Sequence, residues 1–310
     1  MRALLVMNPK ATSTSGRTRD VLAHALAGEL ETEIGETAYR GHAAELARAA
    51  AEDGFDLVVA LGGDGTVNEV VNGILSARIP AGGVLPELGV VPGGSTNVFA
   101  RALGLPNDPV EATGVLLDAL HEGRSRPVSM GQADERYFTF TAGFGFDAAV
   151  VGIVEDRRRA GHKSTGGLYV RSALRHFWGG LDRRNPPIAM KLGDGTEIPD
   201  LFLAIVTNTS PWTYLGNKPV VITPESSFEV GLDLFGVTKM SGRAALRIVR
   251  QMFTDTDKLV RGKHVSVHHD LAEFTLTASV PTDFQVDGDH LGLRESVTFR
   301  AIRDALRVKM

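Results

Sequence analysis

The chain has 310 residues, a net charge of -4 and no cysteine. The length suits two ordinary domains, the charge excludes a global attraction to nucleic acid or anionic lipid, and the lack of cysteine excludes disulfides and fits a reducing compartment. The first apolar run stops at Asn8-Pro9 and no apolar run is long enough to span a membrane, so we expect a cytoplasmic protein without a signal peptide.

The first 120 residues alternate between short apolar runs and stretches with helical periodicity. Alternation of this kind predicts an α/β domain, in which helices cover a parallel sheet. The runs predict strands over 3–7, 57–61 and 88–91, and the periodic stretches predict helices over 17–30, 43–51, 67–75, 95–103 and 109–120.

The pattern changes near Arg126, and after Tyr137 apolar and polar residues alternate with a period of two. The stretch 190–208, MKLGDGTEIPDLFLAIVTN, predicts two strands joined by a tight turn near Asp194-Gly195. The stretch 263–292 has a similar pattern, and helical interruptions are expected near 167–179 and 240–253. The sequence therefore predicts a second domain that is rich in antiparallel β-structure.

A glycine-rich stretch, VVALGGDGTVNEVVNGI at 58–74, follows a buried strand and opens a helix. Glycines at this point let a backbone approach a phosphate, and the helix N-terminus supplies N–H groups and partial positive charge. Gly62, Gly63 and Gly65 fit that task, although a tight turn without a ligand is the alternative. Asp64 favours a ligand site, because a carboxylate there needs a ribose hydroxyl, an amide or a metal-bound water as its partner.

A second loop repeats the arrangement, since a strand leads through Pro92, two glycines and Ser95 into another helical pattern. We expect Ser95 to cap that helix or to meet a phosphate oxygen. Two consecutive strand ends of a parallel sheet face the same cleft, where ligands bind in open α/β sheets. Neither stretch is a P-loop, and GFGFDA at 143–148 is an incomplete dinucleotide-binding motif.

In combination, these motifs resemble the lipid kinase family that includes soluble bacterial diacylglycerol kinases and sphingosine kinases, whose nucleotide fold is similar to that of NAD kinases and phosphofructokinases. The resemblance implies a nucleotide-binding α/β domain over 1–130, to which residues 300–310 return, and a β-rich lipid-substrate domain over 131–299. It implies ATP in the cleft between the domains and phosphoryl transfer to a lipid hydroxyl, with diacylglycerol the expected acceptor. The motifs that carry it are NPKATSTSGR at 8–17, TAYRGHA at 37–43, LGGDGTVNEVVNGI at 61–74, PGGSTNVFARALGLP at 92–106, GFGFDAAVV at 143–151 and VDGDHLG at 286–292.

The resemblance also implies roles for individual residues. Asp289 stands where the family has its proposed general base, and Asp287, Asp147 and Asp64 match other acidic positions of the active site. Mg²⁺ is expected because it accompanies ATP, with Asp64 and Asp147 reaching it through water. The residues expected to bind the nucleotide are Asn8, Thr12, Ser13, Arg17, Thr37, Gly62, Gly63, Asp64, Gly65, Thr66, Asn68, Glu69, Gly93, Gly94, Ser95, Thr96 and Asn97.

Asp287 and Asp289 are separated by Gly288, which predicts a turn that presents both carboxylates. A solvated hairpin tip without a catalytic task is the alternative for this segment alone. Phosphoryl transfer needs a carboxylate to accept the proton of the hydroxyl, so the glycine loops favour the catalytic interpretation.

The chain departs from the family at three places. Val98 stands where the family often has Asp, and the expected base is Asp289 rather than the longer Glu. A family segment of the type D-D-G, which is linked to a structural Mg²⁺ in some members, is Glu229-Val230-Gly231 here. We therefore do not expect that structural ion.

The expected lipid substrate requires a membrane surface, and the stretch 155–184 is locally basic with interleaved apolar residues. It predicts peripheral docking on anionic lipid, although a packed helix with a basic face is an equal alternative, and no nucleic-acid-binding signature accompanies it. Trp212 and Tyr214 line a lipid entrance or are ordinary packing residues. His264, His268 and His269 have no metal-site spacing and are expected to be ordinary strand residues.

Three functions compete on this sequence. The first is an ATP-dependent diacylglycerol kinase, and the second is a kinase for NAD, a sphingoid base or another lipid alcohol. The third is a nucleotide-binding regulator without catalysis, which the departure at Val98 allows but against which the retained Asp64, Asp287 and Asp289 argue. Exposed strand edges in the β-rich domain allow a homodimer.

Overall fold

The structure is a computed structural model that describes residues 1–9, 16–159, 171–173, 175, 186–193, 195–239, 241–254 and 258–310. It divides into two compact units, one of Met1–Met130 with Arg303–Met310 and the other of Gly131–Ile302. Thr12, Ser13 and most of the basic stretch 155–184 lie outside the described residues, as does most of the helix predicted over 167–179. Within the described part of the chain, no helix is long and apolar enough to cross a membrane.

The sheet of the first unit contains four parallel strands in the order β2-β1-β3-β4. All six residues of β3 are buried, which explains its uninterrupted apolar sequence. The strands are β1 (Arg2–Met7), β2 (Glu31–Glu36), β3 (Leu57–Gly62) and β4 (Glu87–Pro92). Strand β2 was not predicted from apolar runs, because this edge strand has the sequence ETEIGE and is exposed or only partly buried throughout.

Five helices accompany this sheet: α1 (Gly16–Glu29), α2 (His42–Glu52), α3 (Asp64–Leu75), α4 (Val98–Ala102) and α5 (Pro109–His121). The core packs Leu22 and Leu26 of α1 and Leu116 of α5 against Leu5 and Leu57 of the strands. Helix α3 packs against α2 at Gly73, where a Cβ atom would lie 2.3 Å from the Ala44 carbonyl oxygen. The helix predicted over 67–75 begins three residues earlier, and the one predicted over 95–103 is reduced to α4.

The second unit is built mainly from antiparallel strands, and its central sheet has the order β14-β13-β10-β7-β15. The strands from residue 126 onward are β5 (Arg126–Ala133), β6 (Arg136–Phe138), β7 (Thr141–Gly145), β8 (Ile188–Leu192), β9 (Glu197–Leu201), β10 (Leu203–Thr207), β11 (Thr213–Leu215), β12 (Lys218–Val220), β13 (Leu232–Val237), β14 (Val265–Leu271), β15 (Glu273–Val286) and β16 (Asp289–Val308). The stretch 190–208 contains parts of three strands rather than two, because Phe202 separates β9 from β10 after Asp200 takes a φ of 66°.

Two apolar clusters stabilise the second unit. One joins alternate residues of the central sheet, such as Phe144 and Leu234, to β8, β15 and β16. The other contains Ile205 and Phe235, and it packs against helix α7 (Gly242–Thr254) and the first residue of helix α6 (Phe146–Arg159). Trp212 is partly buried against this second cluster. The side chains of β10 and β13 alternate between the two clusters, as the period of two requires.

The last residues of β16 complete the sheet of the first unit. Val308 lies opposite Leu88 in a parallel pairing, and the Lys309 backbone N–H donates to the Leu88 carbonyl oxygen at 2.9 Å. The Lys309 ammonium lies 2.9 Å from a carboxylate oxygen of Glu87. The first unit therefore contains two segments of the chain that are far apart in sequence.

Candidate functional site

The first glycine loop connects β3 to α3 within four residues. Gly63 is the N-cap in an extended conformation, and the Thr66 N–H donates to its carbonyl oxygen at 2.9 Å. A Cβ atom at Gly62 would lie 2.6 Å from the Thr66 side chain, whereas one at Gly65 would meet nothing within 4 Å. The loop therefore combines a tight turn with open space beside Gly65 at the N-terminus of α3.

The second glycine loop lies directly against the first. The Gly93 N–H donates to the Gly62 carbonyl oxygen at 2.8 Å, and a Cβ atom at Gly94 would lie 2.6 Å from the Gly63 Cα atom. Residues 93 and 94 therefore bring two backbones into contact at the ends of adjacent strands. This contact requires glycine for reasons of space, since neither Gly63 nor Gly94 has a positive φ.

Asn97 holds the second loop in shape. It is the N-cap of α4 with a φ of 50°, its Oδ1 accepts from the Gly94 N–H at 2.8 Å, and its Nδ2 donates to the Gly94 carbonyl oxygen and to Asn107 Oδ1 at 2.8 Å each. The expectation that Ser95 caps this helix is wrong, because the helix begins three residues later than predicted. Ser95 is exposed and Thr96 is partly buried in the loop.

Asp64, the first residue of α3, connects the two loops. Its Oδ1 accepts from the Phe99 N–H at 3.1 Å and so satisfies a donor in the first turn of α4. At least one of its carboxylate oxygens therefore has a structural task, and its expected approach to a metal through water stays a prediction.

Asn8 and Thr37 follow the other two strands of the parallel sheet. The Asn8 N–H donates to the Leu61 carbonyl oxygen at 3.2 Å, and its Nδ2 lies 3.4 Å from Thr66 Oγ1. The Thr37 N–H donates to the Met7 carbonyl oxygen at 2.9 Å. The carboxyl ends of all four parallel strands thus carry predicted nucleotide-binding residues. Arg17 lies on α1, and its side chain is outside the described part of the structure.

Asn68 and Glu69, two of the residues expected to bind the nucleotide, accept hydrogen bonds from other parts of the protein. Asn68 is buried and accepts from Nδ2 of Asn72 through its own carbonyl and side-chain oxygens, at 2.8 and 3.2 Å. The two carboxylate oxygens of Glu69 accept from the N–H groups of Gly41 and Ala43 at 2.8 and 3.2 Å. Glu69 therefore satisfies donors at the N-terminus of α2, whose N-cap glycine has no side chain to do so.

Asp287 and Gly288 form the two-residue turn between β15 and β16, with φ values of 47° and 82°. The expectation that this turn presents both carboxylates is wrong for Asp287, which is 7% exposed. One of its oxygens accepts from the N–H and hydroxyl of Thr139 at 2.7 and 2.8 Å, and the other accepts from the N–H groups of Phe140 and Thr141 at 3.0 Å each. Burial raises the pKa of this carboxyl, and the hydrogen bonds oppose that rise.

Asp289 begins β16 and is partly buried. Gln285 connects its turn to helix α6, since Gln285 Oε1 accepts from the Gly288 N–H at 2.9 Å and Gln285 Nε2 donates to Oδ2 of Asp147 on that helix at 3.0 Å. Burial raises the pKa of Asp147 to about 6, which the hydrogen bond from Gln285 partly offsets. A Cβ atom at Gly143 would lie 2.3 Å from Asp147 Oδ2, so a larger residue there would displace the Asp147 carboxylate.

Sequence reasoning missed Gln285 and Thr139. Gln285 could have been found, because it precedes Asp287 by two residues on a strand and therefore belongs to the same face. No signal pointed to Thr139, which lies 148 residues from Asp287.

Glu229-Val230-Gly231 lies beside a hydrogen-bonded group, since the Gly231 N–H donates to Asp270 Oδ1 at 2.6 Å. Asp233 is buried, and one of its oxygens accepts from His269 Nδ1 at 2.7 Å and from the Asp270 N–H at 3.1 Å. Burial raises the pKa of Asp233, while the contacts with Asp270 and His269 lower it. In the described ranges, no three His, Asp or Glu side chains are placed to hold a metal ion. His264 and His268 were expected, like His269, to be ordinary strand residues. His268 Nε2 contacts Ser266 Oγ at 2.9 Å within β14, and His264 immediately precedes that strand.

The two touching glycine loops lie at the carboxyl edge of a parallel sheet, the place where open α/β sheets commonly bind ligands. Residues 2–133 match the diacylglycerol kinase catalytic domain, the family that the sequence motifs resemble. Diacylglycerol kinase of Bacillus subtilis (strain 168) is 40% identical over 152 residues, which are 46% of this chain and 46% of that protein. Diacylglycerol kinase of Staphylococcus aureus (strain MRSA252) is 40% identical over 143 residues, or 44% and 41%. The chain thus matches less than half the length of these curated relatives.

Solved structures extend the similarity in fold to the whole chain. A putative diacylglycerol kinase from Bacillus anthracis superposes with a TM-score of 0.75 over 99% of this chain and 96% of its own, at 23% identity. A second structure of a diacylglycerol kinase from that organism gives a TM-score of 0.71 over the same shares, at 22% identity. At these identities the comparison shows the fold alone. It confirms the predicted fold class, a parallel α/β region followed by an antiparallel β-rich region.

Proposed function

We propose that this chain is a lipid kinase that transfers the γ-phosphoryl group of ATP to the hydroxyl of diacylglycerol, producing phosphatidic acid. The observation that carries the proposal is the contact between Gly63 and Gly94 at the carboxyl edge of the sheet, inside the segment that matches the catalytic domain family. This contact brings the N-terminus of α3 and the second loop to the same edge of the sheet, where both can face one polyphosphate.

The proposal assigns the phosphates to the N-terminus of α3. The open space beside Gly65 accepts a phosphate oxygen, and the helix dipole favours its negative charge. Ser95, which is exposed in the neighbouring loop, donates its hydroxyl to the same polyphosphate. Asn8 and Thr37 contact the nucleoside from the ends of the other strands. Asn68, Glu69 and Asn97 act indirectly, since their contacts within the protein hold α2, α3 and the second loop in place.

The proposal assigns the acceptor chemistry to the carboxyl groups of the second unit. Asp289 accepts the proton of the lipid hydroxyl while the oxygen attacks the γ-phosphorus and the bond to ADP breaks. Asp287 positions the turn, because its two oxygens already accept four hydrogen bonds. Asp147 has a pKa of about 6, so its protonation changes close to neutral pH and it adjusts the charge of the site.

Mg²⁺ fits this arrangement only as an ion held chiefly by phosphate oxygens and water. Asp64 has one oxygen bonded to Phe99, and no three metal-binding side chains converge among the described residues. Asp64 and Asp147 are the carboxylates proposed to reach the ion through water. A bound ion supplies charge neutralisation for the phosphoryl group.

Val98 bears on the alternative of a regulator without catalysis. Its side chain is 2% exposed in the first turn of α4, so it packs in the interior, where an Asp would need compensation for its burial. The change at this position therefore reflects packing, and it gives little support to loss of catalysis. A different acceptor, such as a sphingoid base, another lipid alcohol or NAD, remains the second candidate. We also propose a peripheral membrane location, no nucleic-acid partner and, at exposed strand edges, a homodimer.

The test is transfer of label from γ-labelled ATP with Mg²⁺ to diacylglycerol, a sphingoid base or ceramide in detergent micelles, with NAD tested separately. We expect label only on diacylglycerol, and we expect Asp289→Asn to reduce turnover by about 10²–10⁴-fold while ATP still binds. Asp304→Asn is the matched control, because Asp304 is an exposed residue with a φ of 48°, which Asn also adopts.

Label on another acceptor would change the substrate and keep the mechanism. ATP binding without transfer to any acceptor would contradict the proposed kinase and support the regulator.

A further inference from the structure

Helix α7 has an unusual outward face. Its inner residues Ile248 and Met252 are 8% and 9% exposed against the sheet of the second unit. On the other side, Leu246 is 72% exposed and Val249 is 47% exposed. At 3.6 residues per turn these two side chains lie about 60° apart, so they form one apolar strip along the helix.

A basic ridge lies next to this strip. Arg243, Arg247 and Arg250 are exposed and fall within about 60° of one another on the same helix, on the side of Leu246 away from Val249. The described part of the helix carries no acidic residue. Exposed apolar residues beside arginines on one helix are typical of helices that lie in a membrane interface.

The chain that follows the helix adds further positive charge at the same place. Gln251 Nε2 donates to the Arg261 carbonyl oxygen at 3.0 Å, and the Arg261 N–H donates to Gln251 Oε1 at 2.9 Å. This double hydrogen bond holds Arg261 and the nearby Lys263 beside α7. The segment 239–264 contains seven Lys and Arg residues against two Asp, although the whole chain has a net charge of -4.

We propose that the outward face of α7 docks the protein on a bilayer that contains anionic phospholipid. Leu246 and Val249 enter the boundary between headgroups and acyl chains, and the arginine ridge contacts the lipid phosphates. Charge complementarity selects this occupant, because a strongly basic face on an acidic chain favours an anionic surface, and the apolar strip distinguishes a bilayer from a nucleic acid. The inference rests on the proposed function, since only a membrane-resident substrate requires such a surface.

The test is co-sedimentation of the full chain with vesicles of phosphatidylcholine alone and with 30% phosphatidylglycerol. We expect binding to the anionic vesicles only, and we expect Leu246→Gln with Val249→Gln, and separately Arg243→Gln with Arg247→Gln, to weaken it by about tenfold or more. Leu293→Gln with Val280→Gln is the matched control, because these side chains are 55% and 54% exposed elsewhere in the second unit. Thermal unfolding of each variant confirms that it folds.

A second measurement reports how deeply residue 246 enters the bilayer. Leu246→Trp should show quenching by brominated acyl chains above the level of the unmodified protein, and Leu293→Trp should not. Unchanged vesicle binding by both α7 variants, or no binding by the unmodified protein, would overturn the inference. So would tighter binding to single-stranded RNA than to anionic vesicles, or α7-dependent self-association without vesicle binding.

The two proposals fail separately. Vesicle binding requires no turnover, so docking through α7 without label transfer would contradict the kinase alone. Diacylglycerol phosphorylation in detergent micelles, combined with vesicle binding that ignores the α7 changes, would overturn the docking surface alone.

Discussion

Because the two glycine loops are in contact, we expect Gly94→Ala to lower the stability of the protein and Gly65→Ala to leave it unchanged or raise it. A Cβ atom at Gly94 would lie 2.6 Å from the Gly63 Cα atom and 2.8 Å from Asn97 Oδ1, whereas ordinary contacts begin at 3.4 Å. The loops would have to separate by about 0.8 Å, and strain of this kind costs about 1–3 kcal/mol of the free energy of unfolding.

Gly65→Ala is the matched substitution, because its methyl group would meet nothing within 4 Å and Ala is the better residue in a helix. We expect it to leave the free energy of unfolding unchanged or to raise it by up to about 1 kcal/mol. The same methyl group would occupy the space assigned to a phosphate oxygen. ATP affinity should therefore fall by roughly tenfold or more, since a charge-assisted hydrogen bond contributes about 1.5–3 kcal/mol.

Urea unfolding of the two variants and titration calorimetry with ATP measure both effects. Equal destabilisation by the two substitutions would refute the packing argument. Unchanged ATP affinity in Gly65→Ala would refute the placement of the phosphates at the N-terminus of α3, even if the stability measurements agree with the structure.

Three further predictions concern carboxyl groups. Asp147→Asn should stabilise the protein above pH 6 by at most about 3 kcal/mol and have little effect below pH 4, because burial in the folded state raises the pKa of Asp147 from 3.8 to about 6. Urea unfolding at pH 4 and pH 8 measures this difference, and a loss of stability at pH 8 would contradict it. Asp287→Asn should lower the free energy of unfolding by about 2–3 kcal/mol at pH 7, because the amide NH₂ would face N–H donors that now bond to a carboxylate oxygen. A fully stable variant would show that the four hydrogen bonds from Thr139, Phe140 and Thr141 to Asp287 are not formed. Lys309→Met should destabilise the protein at pH 7 by about 1–3 kcal/mol and less at low pH. Burial raises the pKa of Glu87, but hydrogen bonds from Lys309, Ser125 and Arg307 lower it overall, so the stability that they contribute is lost as pH falls through that pKa. An effect of the substitution that does not depend on pH would exclude the ion pair as its cause.

The fold was predictable where one periodicity dominated. After their first residue, strands β1 and β4 are buried and without charge, as β3 is throughout, because parallel strands are covered on both faces, and the predicted ends of all three were correct to within one residue. Strand β2 was not predictable from apolar runs, since its residues are exposed or only partly buried. Helix α4 was predicted too long, because the preceding loop depends on the side-chain hydrogen bonds of Asn97, which periodicity does not detect.

The candidate site was predictable in its types of residue and less so in their roles. The glycine loops follow from local sequence, because tight turns and close backbone contacts have few chemical solutions. The role of Asp287 depends on Thr139, Phe140 and Thr141, which are distant in sequence. A turn dipeptide such as Asp287-Gly288 indicates where the chain reverses and cannot indicate which donors its carboxylate will meet.

The discontinuous composition of the first unit has a consequence for biosynthesis. Residues 303–310 complete a sheet that otherwise contains only residues before 130, and 172 residues of the second unit are translated in between. At roughly 5–20 residues per second, the ribosome needs about 10–30 s to synthesise that interval. During this time Leu88 has Val58 on one side but lacks Val308 on the other, and Glu87 lacks Lys309. The nascent glycine loops therefore sit on an unfinished sheet until residues 303–310 have been synthesised.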